Sequence, residues 1–182
     1  MNVYLSARYP RRAELRQYAD ELLAHDIDVS STWLTASGPG EDIPTEAHAQ
    51  ADLEDIYAST VLVTFAEVPN CAKEHASRGG RHVEFGIAYE TGIVCIVVAP
   101  SAWFDIGHQE VRVEPVRPYP GENVFHLLPG VIRVGSWAEA KALLVAMRER
   151  ELDDGWMANL WDETEALAAV NGSPTDEPPE AA

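Results

Sequence analysis

Gly79-Gly-Arg-His-Val-Glu-Phe-Gly-Ile-Ala-Tyr-Glu-Thr-Gly92 runs straight into Ile93-Val-Cys-Ile-Val-Val-Ala99. The first half reads as a helix from the glycine pair to about Thr91, closed by Gly92, since a glycine just past a helix accepts the left-handed conformation that ends it. The second half is apolar, rich in β-branched residues and too short for a helix. That is how a strand covered on both faces reads. Thr60-Val-Leu-Val-Thr-Phe65 upstream has the same character. Two such strands joined through a helix form a parallel pair, because parallel strands need a crossover.

The flanks repeat the unit. Asn2 to Ser6 is a short apolar opening, and Arg11 to His25 carries Leu15, Tyr18, Ala19, Leu22 and Leu23 at helical spacing, with Pro10 at the start. Ile27 to Leu34 alternates as a strand until Ser37-Gly-Pro-Gly ends it. A helix is predicted from about Pro44 to Tyr57, and a polar loop covers Glu67 to Arg78. Pro100 to Pro129 holds five prolines and no clear period, an excursion over the surface; Val131 to Val134 and Ser136 to Arg150 supply a last strand and helix. The expected fold is α/β: a flavodoxin-like, Rossmann-like three-layer sandwich on a five-stranded parallel sheet of order 2-1-3-4-5.

At 182 residues the chain suits one domain over 1–150 with an extension. Residues 151–170 are expected to form an amphipathic helix, with Met157, Leu160, Trp161, Thr164, Leu167 and Ala168 on one stripe. The acidic, Pro-rich 171–182 are expected to be a disordered tail. The formal net charge is −17, and residues 1–150 hold 21 acids and 13 bases. Such a balance argues against a nucleic-acid duplex as partner. Without a long apolar span or a basic-then-apolar leader, the expectation is a cytoplasmic protein away from membranes, with Cys71 and Cys95 reduced.

In an open parallel sheet, ligands lie beyond the carboxyl ends of the strands, near the point where strand order reverses. The loop after the first strand, Ser6-Ala-Arg-Tyr-Pro-Arg-Arg, lacks a dinucleotide fingerprint, and no Walker motif occurs. A nicotinamide or ATP cofactor is not expected. Ser6, Arg8, Arg11 and Arg12 near a helix start could instead hold a phosphate or carboxylate, or form a solvated basic turn. No His, Cys or carboxylate spacing resembles a zinc site, and His48, His75, His108 and His126 read as structural or solvated. Glu84 is placed in a first helical turn, where the positive helix end would keep it ionised and the preceding Gly79 and Gly80 would let a ligand approach. An ionised, partly desolvated carboxylate suits displacement at a sugar carbon; ordinary capping is the alternative.

At these residues the chain resembles the nucleoside 2-deoxyribosyltransferase family, over roughly residues 2–145. Asn2-Val-Tyr-Leu-Ser is similar to the family's first strand, with Tyr4 at its active-site tyrosine. Asp52-Leu-Glu-Asp-Ile resembles its aspartate-bearing helix, and Gly79 to Ala88 its glycine-rich turn and nucleophilic glutamate. The resemblance implies that Glu84 attacks C1′ of a 2′-deoxyribonucleoside, expels the base and holds the sugar as an ester. A second base or water then takes it, with retention after two inversions. Tyr4 would hydrogen-bond Glu84, and Asp52 would serve the leaving base with a proton. Ser6, Arg8, Trp33, Asp55, Gly79, Gly80, His82 and Asn123 would contact substrate, with Trp33 stacking on a base or packing in the core. Asn123 is placed like a family asparagine that reaches a neighbouring subunit's site, so a homodimer or higher homo-oligomer is implied.

One departure concerns the base. Family transferases commonly carry a second acid about six positions before the glutamate, where this chain has Arg78. Two further readings therefore stay open beside transfer between nucleobases: a 2′-deoxynucleoside 5′-monophosphate N-glycosidase whose first loop binds phosphate, and a non-catalytic nucleotide-sensing module. The implied partners are a nucleoside or nucleotide and a free nucleobase. No cofactor or metal is implied.

Overall fold

The computed structural model describes residues 1–35, 45–66, 79–99, 102–106, 109–113 and 123–152. Five strands form one parallel sheet: β1 (Asn2–Ser6), β2 (Asp28–Val29), β3 (Val61–Phe65), β4 (Val94–Val98) and, after a hairpin, β7 (Ile132–Val134). Their spatial order is β2-β1-β3-β4-β7, the expected 2-1-3-4-5. Val3 pairs with Val61 and Val61 with Val94 across the three central strands.

Alternate strand residues serve opposite faces, so each central strand has to be apolar on both. On one face Val3, Leu5, Val63 and Ile96 pack against Leu15 and Leu22 of α1 (Arg12–Leu23) and Ala140 and Leu144 of α4 (Trp137–Leu152). On the other, Tyr4, Leu62, Cys95 and Val97 meet Ile56 of α2 (Glu46–Tyr57) and Phe85 and Ala88 of α3 (Gly79–Glu90). This is the three-layer, flavodoxin-like α/β arrangement. Helix α2 starts on a capping box in which the Thr45 side chain accepts from the His48 amide. Helix α3 ends as expected, with Gly92 at φ +77°.

Two local expectations need correction. The strand expected over Ile27 to Leu34 is only two residues long, and Thr32–Leu34 form a turn of 3-10 helix. Side chains take over the ladder: Ser31 Oγ accepts from the Leu5 amide at 2.7 Å, and Trp33 Nε1 donates to the Leu5 carbonyl at 3.1 Å. With the Leu5 backbone groups satisfied, no strand is needed beside them. The Pro-rich excursion also contains structure, an antiparallel hairpin of β5 (Ala102–Ile106) and β6 (Gln109–Val113) outside the main sheet.

The predicted helix over 151–170 and tail over 171–182 lie outside the described residues beyond Leu152, the end of α4. Among the described residues, no helix is long and apolar enough to cross a membrane.

Candidate active site

Ser6 and Phe65 are the last residues of β1 and β3, neighbours at the carboxyl edge of the sheet. Helices α1 and α2 lie on opposite faces here, making this the switch point where an open sheet takes its ligand. Glu84 reaches the same edge from α3. Ser6, fully buried, donates its hydroxyl to Glu84 Oε2 at 2.5 Å. Gly80 flanks the other oxygen, for a Cβ there would stand 3.7 Å from Glu84 Oε1, in ordinary contact.

The expectation that Glu84 sits in a first helical turn is corrected. Helix α3 begins at Gly79, so Glu84 is its sixth residue and lies beyond the turn where the helix end acts strongly. Burial dominates instead and pushes its pKa up to about 7. The Ser6 hydroxyl and the Arg81 guanidinium pull it down, while the Asp52 charge raises it. A carboxyl poised there exchanges its proton near neutral pH.

Tyr4, on β1 two residues before Ser6, is fully buried on the same face. Its hydroxyl makes no hydrogen bond to Glu84; that position belongs to Ser6. Among the described residues no group meets it at full hydrogen-bonding geometry, yet the Asp52 carboxyl lies close enough for the two to act on each other. Burial and the charges of Glu84, Asp52 and Asp55 raise the Tyr4 pKa, so the phenol stays protonated. Asp52 is half-buried on α2. Desolvation and the Asp55 charge raise its pKa, against the lowering by Tyr4. Tyr4, Asp52 and Glu84 thus form one electrostatically coupled set, with Asp55 at its margin.

The other predicted contacts divide by what already holds them. Asp55 accepts from the Thr32 amide and hydroxyl, both at 2.7 Å, bracing the turn that carries Trp33. The Trp33 indole is anchored on Leu5 and tilts against the Tyr9 ring, centroids 6.4 Å apart. Asn123 lies with the exposed His82 of its own chain: Asn123 Nδ2 and His82 Nδ1 are 2.7 Å apart, and Asn123 Oδ1 accepts from the Phe125 amide. Arg8 is half-buried two residues after Ser6. Arg11 makes two hydrogen bonds to Glu14 and stacks on the Phe65 ring, and Arg12 bonds the Tyr9 hydroxyl. His126 is buried edge-on against Phe85, as a structural histidine.

Sequence reading passed over Arg81. It is buried, 8% exposed, and its Nη1 donates to the Phe65 carbonyl at 2.5 Å. The available signal was a cation three residues before an acid, the spacing that shares a helix face. Buried Cys95, its thiol pushed up to about 12, has no reactive character. Among the described residues no group of three or more His, Cys, Asp or Glu could hold a metal ion.

No protein-family model matches the chain. No curated protein matches it either. A solved structure, that of a conserved protein from Enterococcus faecalis V583, is similar at a TM-score of 0.41 with 22% sequence identity. The match covers 55% of this chain and 64% of that one, less than two thirds of its length.

Proposed function

We propose that the protein cleaves the N-glycosidic bond of 2′-deoxyribonucleosides through a covalent deoxyribosyl ester on Glu84 and passes the sugar to another nucleobase. The observation carrying this reading is the Glu84 carboxyl itself. It is held by Ser6 at the sheet switch point, beside a second carboxyl, Asp52, whose pKa is also raised. Two carboxyls at one ligand site are what a nucleophile and a proton donor require. The resemblance to nucleoside 2-deoxyribosyltransferases, on Tyr4, Asp52 and the Gly79 to Ala88 stretch, supplies the substrate class.

In this mechanism the ionised Glu84 oxygen forms a bond to C1′ as the C1′–N bond breaks. The bonding pair leaves on the base nitrogen, which takes a proton from Asp52. An incoming base nitrogen then attacks C1′ from the opposite side, releases the Glu84 carboxylate and gives up its proton to the Asp52 carboxylate, which restores both groups. Ser6 keeps one carboxylate oxygen fixed, leaving the other for attack.

A second reading, hydrolysis of 2′-deoxynucleoside 5′-monophosphates, is favoured by Arg8, Arg11 and Arg12. Three guanidinium groups within five residues follow β1, in a chain of net charge −17. Arginines in such a loop recognise phosphate through charge-assisted hydrogen bonds.

The test is incubation of the pure protein with deoxyinosine or deoxyadenosine, with and without cytosine, and with the matching 5′-monophosphates, products being followed by chromatography. A deoxycytidine peak absent from Glu84→Ala is the expected result. Free base with deoxyribose 5-phosphate from the monophosphates alone would replace transfer by hydrolysis. Binding without turnover across a broad base panel would overturn both in favour of a sensing module.

A further inference from the structure

Ser31, just before the 3-10 turn Thr32–Leu34, holds the position from which a serine side chain ordinarily caps the first amides of a helix. Here it makes no cap bond, because its Oγ is engaged with the Leu5 amide at 2.7 Å. The cap comes from another helix instead: Asp55 Oδ2, on α2, accepts from both the Thr32 amide and the Thr32 hydroxyl at 2.7 Å. The next residue, Trp33, donates Nε1 to the Leu5 carbonyl at 3.1 Å. Three consecutive residues are thus tied down, Ser31 and Trp33 to β1 and Thr32 to α2. The indole they carry is half-buried, packs against the cores on both sheet faces and meets the Tyr9 ring at an angle of 36°.

We infer that Asp55 is a positioning residue for Trp33: it caps the turn from α2 and so holds the indole as a fixed wall on which a nucleobase stacks, the substrate class resting on the proposed function. Leu5, which anchors the ring, lies between Tyr4 and Ser6 on β1. Asp55, which braces it, lies three residues after Asp52 on α2, one helical step along the same face. The ring is therefore held against the two elements that carry the serine partner of Glu84 and the proton donor. An indole has a single hydrogen-bond donor, and Leu5 takes it. What the ring offers a base is its π face, so Trp33 adds stacking and no hydrogen-bond readout, and a purine gains more from it than a pyrimidine.

The test labels the five tryptophans of the full chain with 5-fluorotryptophan and follows Trp33 by fluorine NMR, its signal identified by its loss in Trp33→Phe. Asp55→Asn and Asp55→Ala both remove the charge that Asp55 places near Asp52, but only Ala removes the acceptor for Thr32. Without ligand, the Trp33 signal should shift or broaden in the Ala variant and keep its wild-type position in the Asn variant. Deoxyadenosine should move the signal in wild type. Its Kd should rise about fivefold or more in Asp55→Ala and Trp33→Leu, and stay within about twofold in Asp55→Asn. The rise should be larger for deoxyadenosine than for deoxycytidine. Thr32→Val, which loses only the hydroxyl bond, serves if the Ala variant does not fold and should show the same changes in smaller measure. An unmoved Trp33 signal in the Ala variant, a moved signal with unchanged affinity, equal losses in Asn and Ala, or a loss no larger for the purine would each overturn the inference. So would a wild type in which neither nucleoside moves Trp33. Binding that moves Trp33 without turnover of any deoxynucleoside would defeat the proposed function and leave the inference standing.

Discussion

Ser6 and Glu84, 78 residues apart in sequence, share a 2.5 Å hydrogen bond at the switch point of the sheet. The hydroxyl sits at the end of a central strand, where Ser6 pairs with Thr64 of β3, and so fixes a carboxyl carried on a helix. Hydrogen bonds to charged groups contribute about 1.5–3 kcal/mol, enough to hold a buried carboxylate partly ionised against desolvation.

Ser6→Ala should therefore act through the titration of Glu84. With the donor gone, its midpoint should rise by about one unit or more, so turnover of a deoxynucleoside at pH 7 should fall about fivefold or more and recover at higher pH. A pH–rate profile checks this. A uniform loss at every pH, with the acid limb in place, would assign Ser6 to substrate contact instead.

The raised pKa of Glu84 also has a signature in stability. Its folded value of about 7 lies above the ordinary 4.5, so the folded state keeps the proton where the unfolded state loses it. The stabilisation is fully present below pH 4.5 and is lost as pH rises through 7. The loss amounts to on the order of 3 kcal/mol. Glu84→Gln, still able to accept from Ser6, should gain on wild type by about that amount between pH 4.5 and 8 in urea denaturation. A difference constant across this range would mean that Glu84 is not desolvated.

Much of this arrangement was legible in the sequence, for identifiable reasons. Val61 to Phe65 and Val94 to Val98 are apolar at every position or nearly so, which only a doubly covered strand explains, and the rest of the strand order follows from alternation. The strand after α1 was read too long because Ser31 and Trp33 continue the alternation while their side chains replace the ladder it suggested. The hairpin was hidden by the prolines around it, although Val111 and Val113 alternate with Glu110 and Arg112. Glu84 was found from its motif; the identity of its partner was not, since a serine at a strand end reads equally as a ligand contact or a support. Arg81 was overlooked because a guanidinium beside glycines reads as solvated until its burial is seen.

A stability prediction follows from Asp26, just past the end of α1. It has φ 56°, a left-handed conformation costing an L-residue roughly 1–2 kcal/mol. Asp26→Gly should relieve most of this and, after the extra unfolded-state entropy of glycine, leave a net gain of about 0.5–1 kcal/mol by denaturant unfolding. Asp26→Ala, which keeps the strain, should show no gain. Equal behaviour of the two variants would place the strain elsewhere.

Tyr4→Phe separates packing from chemistry at the site. The ring fills the core between β1 and the helices above it, and Phe keeps that volume. Because the hydroxyl is buried without a partner at full hydrogen-bonding geometry among the described residues, removing it relieves a desolvation cost. Unfolding stability should hold or rise by up to about 1 kcal/mol. The Asp52 carboxyl loses the group that holds its pKa down, so its titration should move higher. If Asp52 serves the leaving base, kcat should change at the pH where Asp52 titrates, with the acid limb set by Glu84 less affected. Stability lost by more than about 1 kcal/mol would mean that the phenol is bound in the folded protein, and that its hydrogen bond to Asp52 is a structural support.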